Sequence, residues 1–379
     1  MIDNCRHVLL GCCSEAKAFL KRIGSLKHIE FHDKLNVVGD ERLTIKSSLL
    51  PAPLHLLPSI VGSPYLSRSQ KANLVTVLGW TLLNKPQVSA DGPGKGESAR
   101  SYLKSLGCSE GLLDRLIDPV IVSALNERAS DASAKYARMV VVESLLKGRG
   151  SYRLGVPKVP QSELIGDAAT AWLESHGCEV RLSSRVRDVR IADGRARSVE
   201  LASGEVIEAD AYVAAVPPMA LAKMGLDPGE GSLLQWRPIV SAHLFYEGPT
   251  PPFEPACVVG ESFGWVFSKH TDLGYVEAVA SAAEGISHLE KQELLSMAAC
   301  AAAAVEPMLG RIPLKRGIVF RARRATFATL GCDAYRPKAA GATANLFLAG
   351  DWTATGWPAT IEGAVRSGLA AAKEAMRAT

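Results

Sequence analysis

The spacing of apolar residues divides this chain into blocks of helix and blocks of strand. Val8-Leu9-Leu10 predicts a short strand. Ser14 to Ile23 then takes a helical pattern, with Ser14 as N-cap and Gly24 as stop. Residues 29–58 read as short strands ending in the proline-punctuated "LLPAPLHLLP". Helical spacing starts at Ser67, where "SRSQ" offers a cap, and runs to Leu83. It resumes at Ala99–Leu106, Gly111–Leu125 and Ala132–Leu146, so residues 67–146 are mostly helix. The intervening "NKPQVSADGPGKGES" is a loop by composition.

The pattern then changes. After a helix over Ala168–His176, apolar and polar residues alternate up to about Ile207, with turn signals at Asp193-Gly194 and Ser203-Gly204. That predicts three strands joined by tight turns, followed by a more apolar strand at Ala211–Val216. Residues 235–285 are strands again, Glu290–Leu309 a helix, Gly317–Phe327 a strand and Leu346–Ala349 a buried strand. The alternation predicts an α/β fold of mixed α+β character with two interleaved domains. One is an incomplete Rossmann-like domain built from residues 1–25, 155–220 and 335–379. The other, from 26–154 and 221–334, carries a mixed sheet and helices.

Composition narrows the function. A chain of 379 residues, 47% hydrophobic, can bury two cores. Its net charge of +4 comes without a block of like charges, so nucleic acid is not implied. The densest basic run, Arg321-Ala322-Arg323-Arg324, reads as a solvated strand edge. None of the eight cysteines forms a C-x-x-C pair, which points to reduced thiols. His28 and His32 sit in a turn entering a strand, so no metal site is expected. Met1-Ile2-Asp3-Asn4 does not begin a secretory leader, and Leu294–Val305 is too short to span a bilayer. The expectation is a cytoplasmic protein, either soluble or peripheral at the inner membrane surface.

Candidate chemistry lies in "NLFLAGDWTATGWPATIEGAVRSG", residues 345–368. A short apolar strand ends at Gly350, which allows a close backbone approach. Asp351 then stands at the strand end, where open α/β sheets bind ligands and where it can accept a hydroxyl's hydrogen bond. A loop with Trp352, Trp357 and Pro358 crosses the pocket. A helix beginning near Ala359 points its free N–H groups and positive dipole back at it. Such an arrangement suits a flavin, whose ring gains negative charge on reduction.

This segment resembles the C-terminal flavin motif of the amine oxidase/phytoene desaturase superfamily. It is most similar to the hydroxysqualene dehydroxylases, also called squalene-associated FAD-dependent desaturases. "DNCRHVLLGCC" (3–13), with Arg6 where that family has glutamine, "LPAPLHLLPS" (50–59), "DPVIVSALNE" (118–127) and "VAAVPP" (213–218) extend the similarity along the chain. The resemblance implies FAD as cofactor, with Gly350 and Asp351 at its ribityl–pyrophosphate end, Trp352 also binding it, and Thr360, Ile361 and Ala364 near the ring. It implies Val186 beside the adenine, Trp357, Pro358 and Asn126 on the substrate side, and His7 as candidate proton donor. It further implies a long apolar isoprenoid substrate, reductive dehydroxylation of hydroxysqualene to squalene for hopanoid synthesis, and a separate electron donor for the flavin. A carotenoid-type desaturase and a flavin amine oxidase are the alternative enzymes, and an inactive fragment with at most lipid or partner binding is the alternative outside enzymes.

One departure is large. The superfamily opens with a strand, G-x-G-x-x-G and a helix that hold the ADP diphosphate. No G-x-G-x-x-G occurs here, and "DGPGKGES" (91–98) follows no strand. The chain is therefore expected to lack about one βαβ unit. It is also expected to expose apolar faces near residues 180–216 and 346–349, and to be poorly soluble or to hold FAD weakly.

Overall fold

The computed structural model describes residues 2–86 and 94–378. Its largest element is a seven-stranded mixed sheet. In spatial order the strands are Leu314–Phe327, Trp236–Tyr246, Tyr275–Ala280, Trp265–Ser268, Ala256–Val258, Lys34–Val38 and Arg42–Lys46. All neighbours are antiparallel except Ala256–Val258 beside Lys34–Val38.

The two-residue period of these strands decides what each face does. Val240, Ala242 and Leu244 of the long central strand point to one side, where Leu294, Leu295, Ala298 and Ala302 of helix Lys291–Val305 cover them. The intervening Ile239, Ser241 and His243 face the other way, toward the N-terminal segment and a large cavity. Gly317 has no room for a side chain, because a Cβ would lie 2.3 Å from the Leu295 side chain.

A helical block roofs the cavity: Leu57–Gly62, Arg68–Leu83, Ala99–Ser105, Asp118–Leu125 and Ala134–Val140. The expected cap at Ser67 forms, with Ser67 and Gln70 bonding each other's backbone N–H. Some expectations differ from the structure. "LLPAPLHLLP" is helical turn instead of strand, because Pro58 sits in the first turn of Leu57–Gly62, where a missing N–H costs nothing. The predicted helices over 111–125 and 132–146 each contain a π-helical stretch, Leu113–Ile117 and Val141–Leu146. The N-cap of the first helix, Ser14–Arg22, is Cys13 and not Ser14.

The remaining strands form small sheets. Leu9–Leu10, Leu154–Pro157 and Ile29–His32 make one antiparallel sheet, and Val186–Ala192, Arg195–Leu201 and Val206–Ile207 make another. Residues 179–184, expected as strand, are not. Tyr212–Ala214 and Leu346–Leu348 pair in parallel as a two-stranded sheet. The expected exposure falls on Val213, Leu182 and Ile191 but not on Leu346 and Phe347, which stay buried. Phe347 packs in a small cluster with Ala371 of the C-terminal helix Ile361–Ala378. All eight cysteines are free thiols, and no described helix is long and apolar enough to cross a membrane.

Candidate active site

The cavity between the sheet and the helical block has a volume of about 770 Å³. That is toward the upper end of the roughly 300–1,000 Å³ range of small-molecule sites. Its walls are aliphatic over most of their length, with Leu35, Ile60, Val77, Val120, Leu145 and Ile239 among them. Polar groups interrupt the walls, among them Asn36, Ser123, Asn126, Arg324 and Thr326. Asn4, Arg6 and His7 of the N-terminal segment line the same cavity as Asp351 and the entry of the C-terminal helix at Thr360 and Ile361.

That helix entry is tightly built. Thr360 Oγ1 accepts from Gly363 N at 3.1 Å, capping the first turn. Gly363 must be glycine, since a Cβ would stand 2.8 Å from the Pro358 carbonyl oxygen. Gly350 has φ +135° and donates its N–H to Ser367 Oγ at 2.8 Å, which fastens the strand end to the same helix. Glu362 turns away from the cavity. Its buried carboxylate accepts from Ala16 N at 2.8 Å and Glu15 N at 3.2 Å, at the N-terminus of helix Ser14–Arg22. Ala359 and Ala364 leave open space in front of the helix entry.

Asp351 lines the cavity beside this entry, and burial pushes its carboxyl above the usual carboxylate range against the pull of Arg336. Arg336 was not legible in the sequence. It is buried, donates to the Asp351 carbonyl at 2.8 Å, to Thr355 Oγ1 at 2.9 Å and to Tyr136 Oη at 2.6 Å, and so holds the loop.

The N-terminal segment is pinned by a charge pair that sequence reading also missed. Arg6 Nε lies 3.4 Å from Glu277 Oε2, both side chains being buried, and Arg6 Nη1 donates to the Pro157 carbonyl at 2.9 Å. Arginine at position 6 thus has a partner across the sheet. Burial raises the Glu277 pKa, opposed by Arg6 and Lys269. Removing one partner leaves the other charge buried and unpaired, so Glu277→Leu should cost about 3–5 kcal/mol of unfolding free energy in urea titrations. A loss below about 1 kcal/mol would deny the pair this anchoring role.

His7 follows Arg6. Its ring faces the open cavity and is solvent-accessible, yet it lies deep enough that desolvation lowers its pKa, against Asp3 and the Cys5 backbone.

The structure brings His7, Asp351, Thr360, Ile361, Ala364 and Asn126 to one cavity. It sets the other sequence candidates elsewhere. Trp352 is a core residue, its indole N–H donating to the Val216 carbonyl at 3.0 Å, because a buried indole needs an acceptor. Trp357 lies outside the lining and carries the Arg366 guanidinium 4.7 Å over its ring. Pro358 is buried and Val186 begins the 186–207 meander, both away from the cavity lining. Asn126 lines the cavity, but the fold uses its amide. With φ 58°, it donates to Thr326 Oγ1 at 2.9 Å and accepts from Ala282 N at 2.7 Å. Neighbouring Glu127 is buried too, accepting from Thr329 N at 2.7 Å and Arg237 Nε at 3.1 Å.

These residues fit the ring and ribityl end of a flavin: a desolvated carboxyl, a capped helix N-terminus and small residues that leave room. The sequence holds no G-x-G-x-x-G for the diphosphate. "DGPGKGES" lies partly outside the described residues, and its last residue, Ser98, caps helix Ala99–Ser105.

The model of the flavin containing amine oxidoreductases matches residues 2–254 and 319–376, and the chain belongs to that family. It is an FAD-dependent oxidoreductase. Within the family its kinship lies with the hydroxysqualene dehydroxylases. The enzyme of that name from Zymomonas mobilis subsp. mobilis is 30% identical over 99% of this chain and 87% of its own length. Its counterpart from Rhodopseudomonas palustris is 30% identical over 98% of this chain and 86% of its own. Among solved structures, an oxidoreductase from Methanosarcina mazei superposes with a TM-score of 0.70 at 14% identity, over 97% of this chain and 87% of that one, which speaks for the fold alone.

Proposed function

We propose that the protein removes the hydroxyl group of hydroxysqualene reductively, giving squalene and water. The observation that carries this reading is the cavity: about 770 Å³, walled mostly by aliphatic side chains, and lined also by His7, Asp351 and the helix entry. The reaction takes R–OH, two electrons and two protons to R–H and H₂O. When bound, reduced flavin supplies the hydride equivalent, and a separate electron donor restores it. The chain's own residues do the rest. The aliphatic walls hold the chain of the substrate and keep water from the carbon whose C–O bond breaks. His7 gives its proton to the leaving oxygen. Asp351 and the helix entry at Thr360 and Ile361 would hold the ribityl and ring end of the flavin. We place the protein in the cytoplasm at the membrane surface, where such an apolar substrate dissolves.

The role of His7 is testable by pH. A donor must start protonated, and the His7 pKa lies below its ordinary 6.5. With hydroxysqualene as substrate, kcat/KM should therefore fall as pH rises through that lowered value. His7→Gln should lower the rate and erase this limb. An unchanged limb in the variant would assign the proton to another group.

A further inference from the structure

We propose that helix Arg68–Leu83 and the preceding segment 47–62 form a docking face for an anionic phospholipid bilayer. The proposal rests on the reading of the cavity as a site for a long apolar substrate, and it names where that substrate comes from.

The two segments are walls of the cavity. Leu56, Leu57 and Ile60 line it from one, and Leu74, Val77 and Leu78 from the other. Their opposite sides are open and also apolar. Leu49 is 93% exposed, Leu83 78%, Val61 50%, Trp80 49%, Leu54 47% and Val75 47%. A surface helix of a soluble protein keeps polar residues outward. Helix Arg68–Leu83 carries apolar residues on both sides, burying only Leu74, Val77 and Thr81. Fraying does not explain the exposure. The helix is capped at Ser67, Asn73 Nδ2 donates to the Gly107 carbonyl at 2.8 Å, and Arg138 donates to the Thr81 and Leu82 carbonyls at 2.8 and 3.0 Å.

Charge selects the partner. From Arg42 to Ala90 the chain has no Asp or Glu, while Arg42, Lys46, Arg68, Lys71 and Lys85 lie within that stretch. Arg149 joins them, donating to the Ser48 carbonyl at 2.7 Å beside Leu49. Exposed leucines and a tryptophan on a stretch of chain whose charged residues are all cations match a bilayer whose headgroups are negative. A substrate dissolved in the acyl layer would reach the cavity between these walls without crossing water.

The test is flotation of the purified protein with vesicles of phosphatidylcholine alone and of phosphatidylcholine mixed with phosphatidylglycerol. The double variant Trp80→Asp/Leu83→Asp changes only exposed positions, and Arg68→Glu/Lys71→Glu changes the charge. The wild type should float with the mixed vesicles and more weakly with the neutral ones. Each double variant should lose at least about tenfold in binding. Turnover of detergent-dispersed hydroxysqualene and flavin content should stay unchanged. Equal binding by wild type and variants, or no binding by the wild type, overturns the proposal. So does a concentration-dependent dimer of the wild type that the Trp80→Asp/Leu83→Asp variant abolishes, which would assign the face to a second copy. Vesicle binding without turnover in detergent would instead count against the substrate reading.

Discussion

Replacing Asp351 by alanine should weaken flavin binding by roughly 10- to 150-fold while leaving the thermal unfolding midpoint nearly unchanged. The carboxyl lines the cavity beside the helix entry and is desolvated enough that its pKa rises. A group in that state has given up water and gains most from a ligand hydroxyl. Hydrogen bonds to charged groups contribute about 1.5–3 kcal/mol, which sets the factor. The fold depends little on this side chain, because the loop is held by Arg336 through the Asp351 carbonyl, which alanine keeps. Flavin affinity by fluorescence quenching measures the effect. Asp351→Asn should fall between the two, retaining an acceptor without the charge. Binding unchanged in Asp351→Ala would remove this residue from the flavin site.

Filling the cavity should be equally damaging to catalysis. Ala124 lines it from helix Asp118–Leu125, whose packing is carried by the buried Ile121 and Leu125. In Ala124→Trp the indole would occupy space needed by the substrate. Displacing roughly 100–150 Å² of apolar contact at about 25 cal/mol per Å² costs about 2.5–4 kcal/mol, or roughly 10²–10³-fold in kcat/KM. Flavin affinity should be unaffected, because Ala124 lies on helix Asp118–Leu125 and not on the loop and helix that carry Asp351 and Thr360. Full activity in this variant would place the substrate elsewhere.

The fold was legible where local pattern decides structure. Residues 235–285 were read as strands and hold Trp236–Tyr246, and "SRSQ" marked the start of Arg68–Leu83. The turn at Asp193-Gly194 joins strands as read, with φ of 53° and 70° suited to a tight hairpin. The proline-rich 50–58 misled because prolines punctuate strand ends and begin helices equally well. "AGD" and "PATIEG" put Asp351, Thr360 and Ile361 at a strand end and a helix start, and all three line the cavity. For Trp352, adjacency along the chain says nothing about the direction of the side chain. Its ring turns into the core toward Val216, while its neighbour Asp351 turns to the cavity. Arg6–Glu277, Arg336–Tyr136 and Glu127–Thr329 join residues about 200 or more positions apart, and no local spacing encodes such pairs.

The most direct measurement is an anaerobic incubation of the protein with hydroxysqualene and chemically reduced FAD, with the products separated by chromatography. The account predicts squalene formed in proportion to reduced flavin consumed, and far less of it from Ala124→Trp. Intact hydroxysqualene, alongside hydrogen peroxide released from an amine or new double bonds introduced into a carotenoid precursor under air, would contradict it.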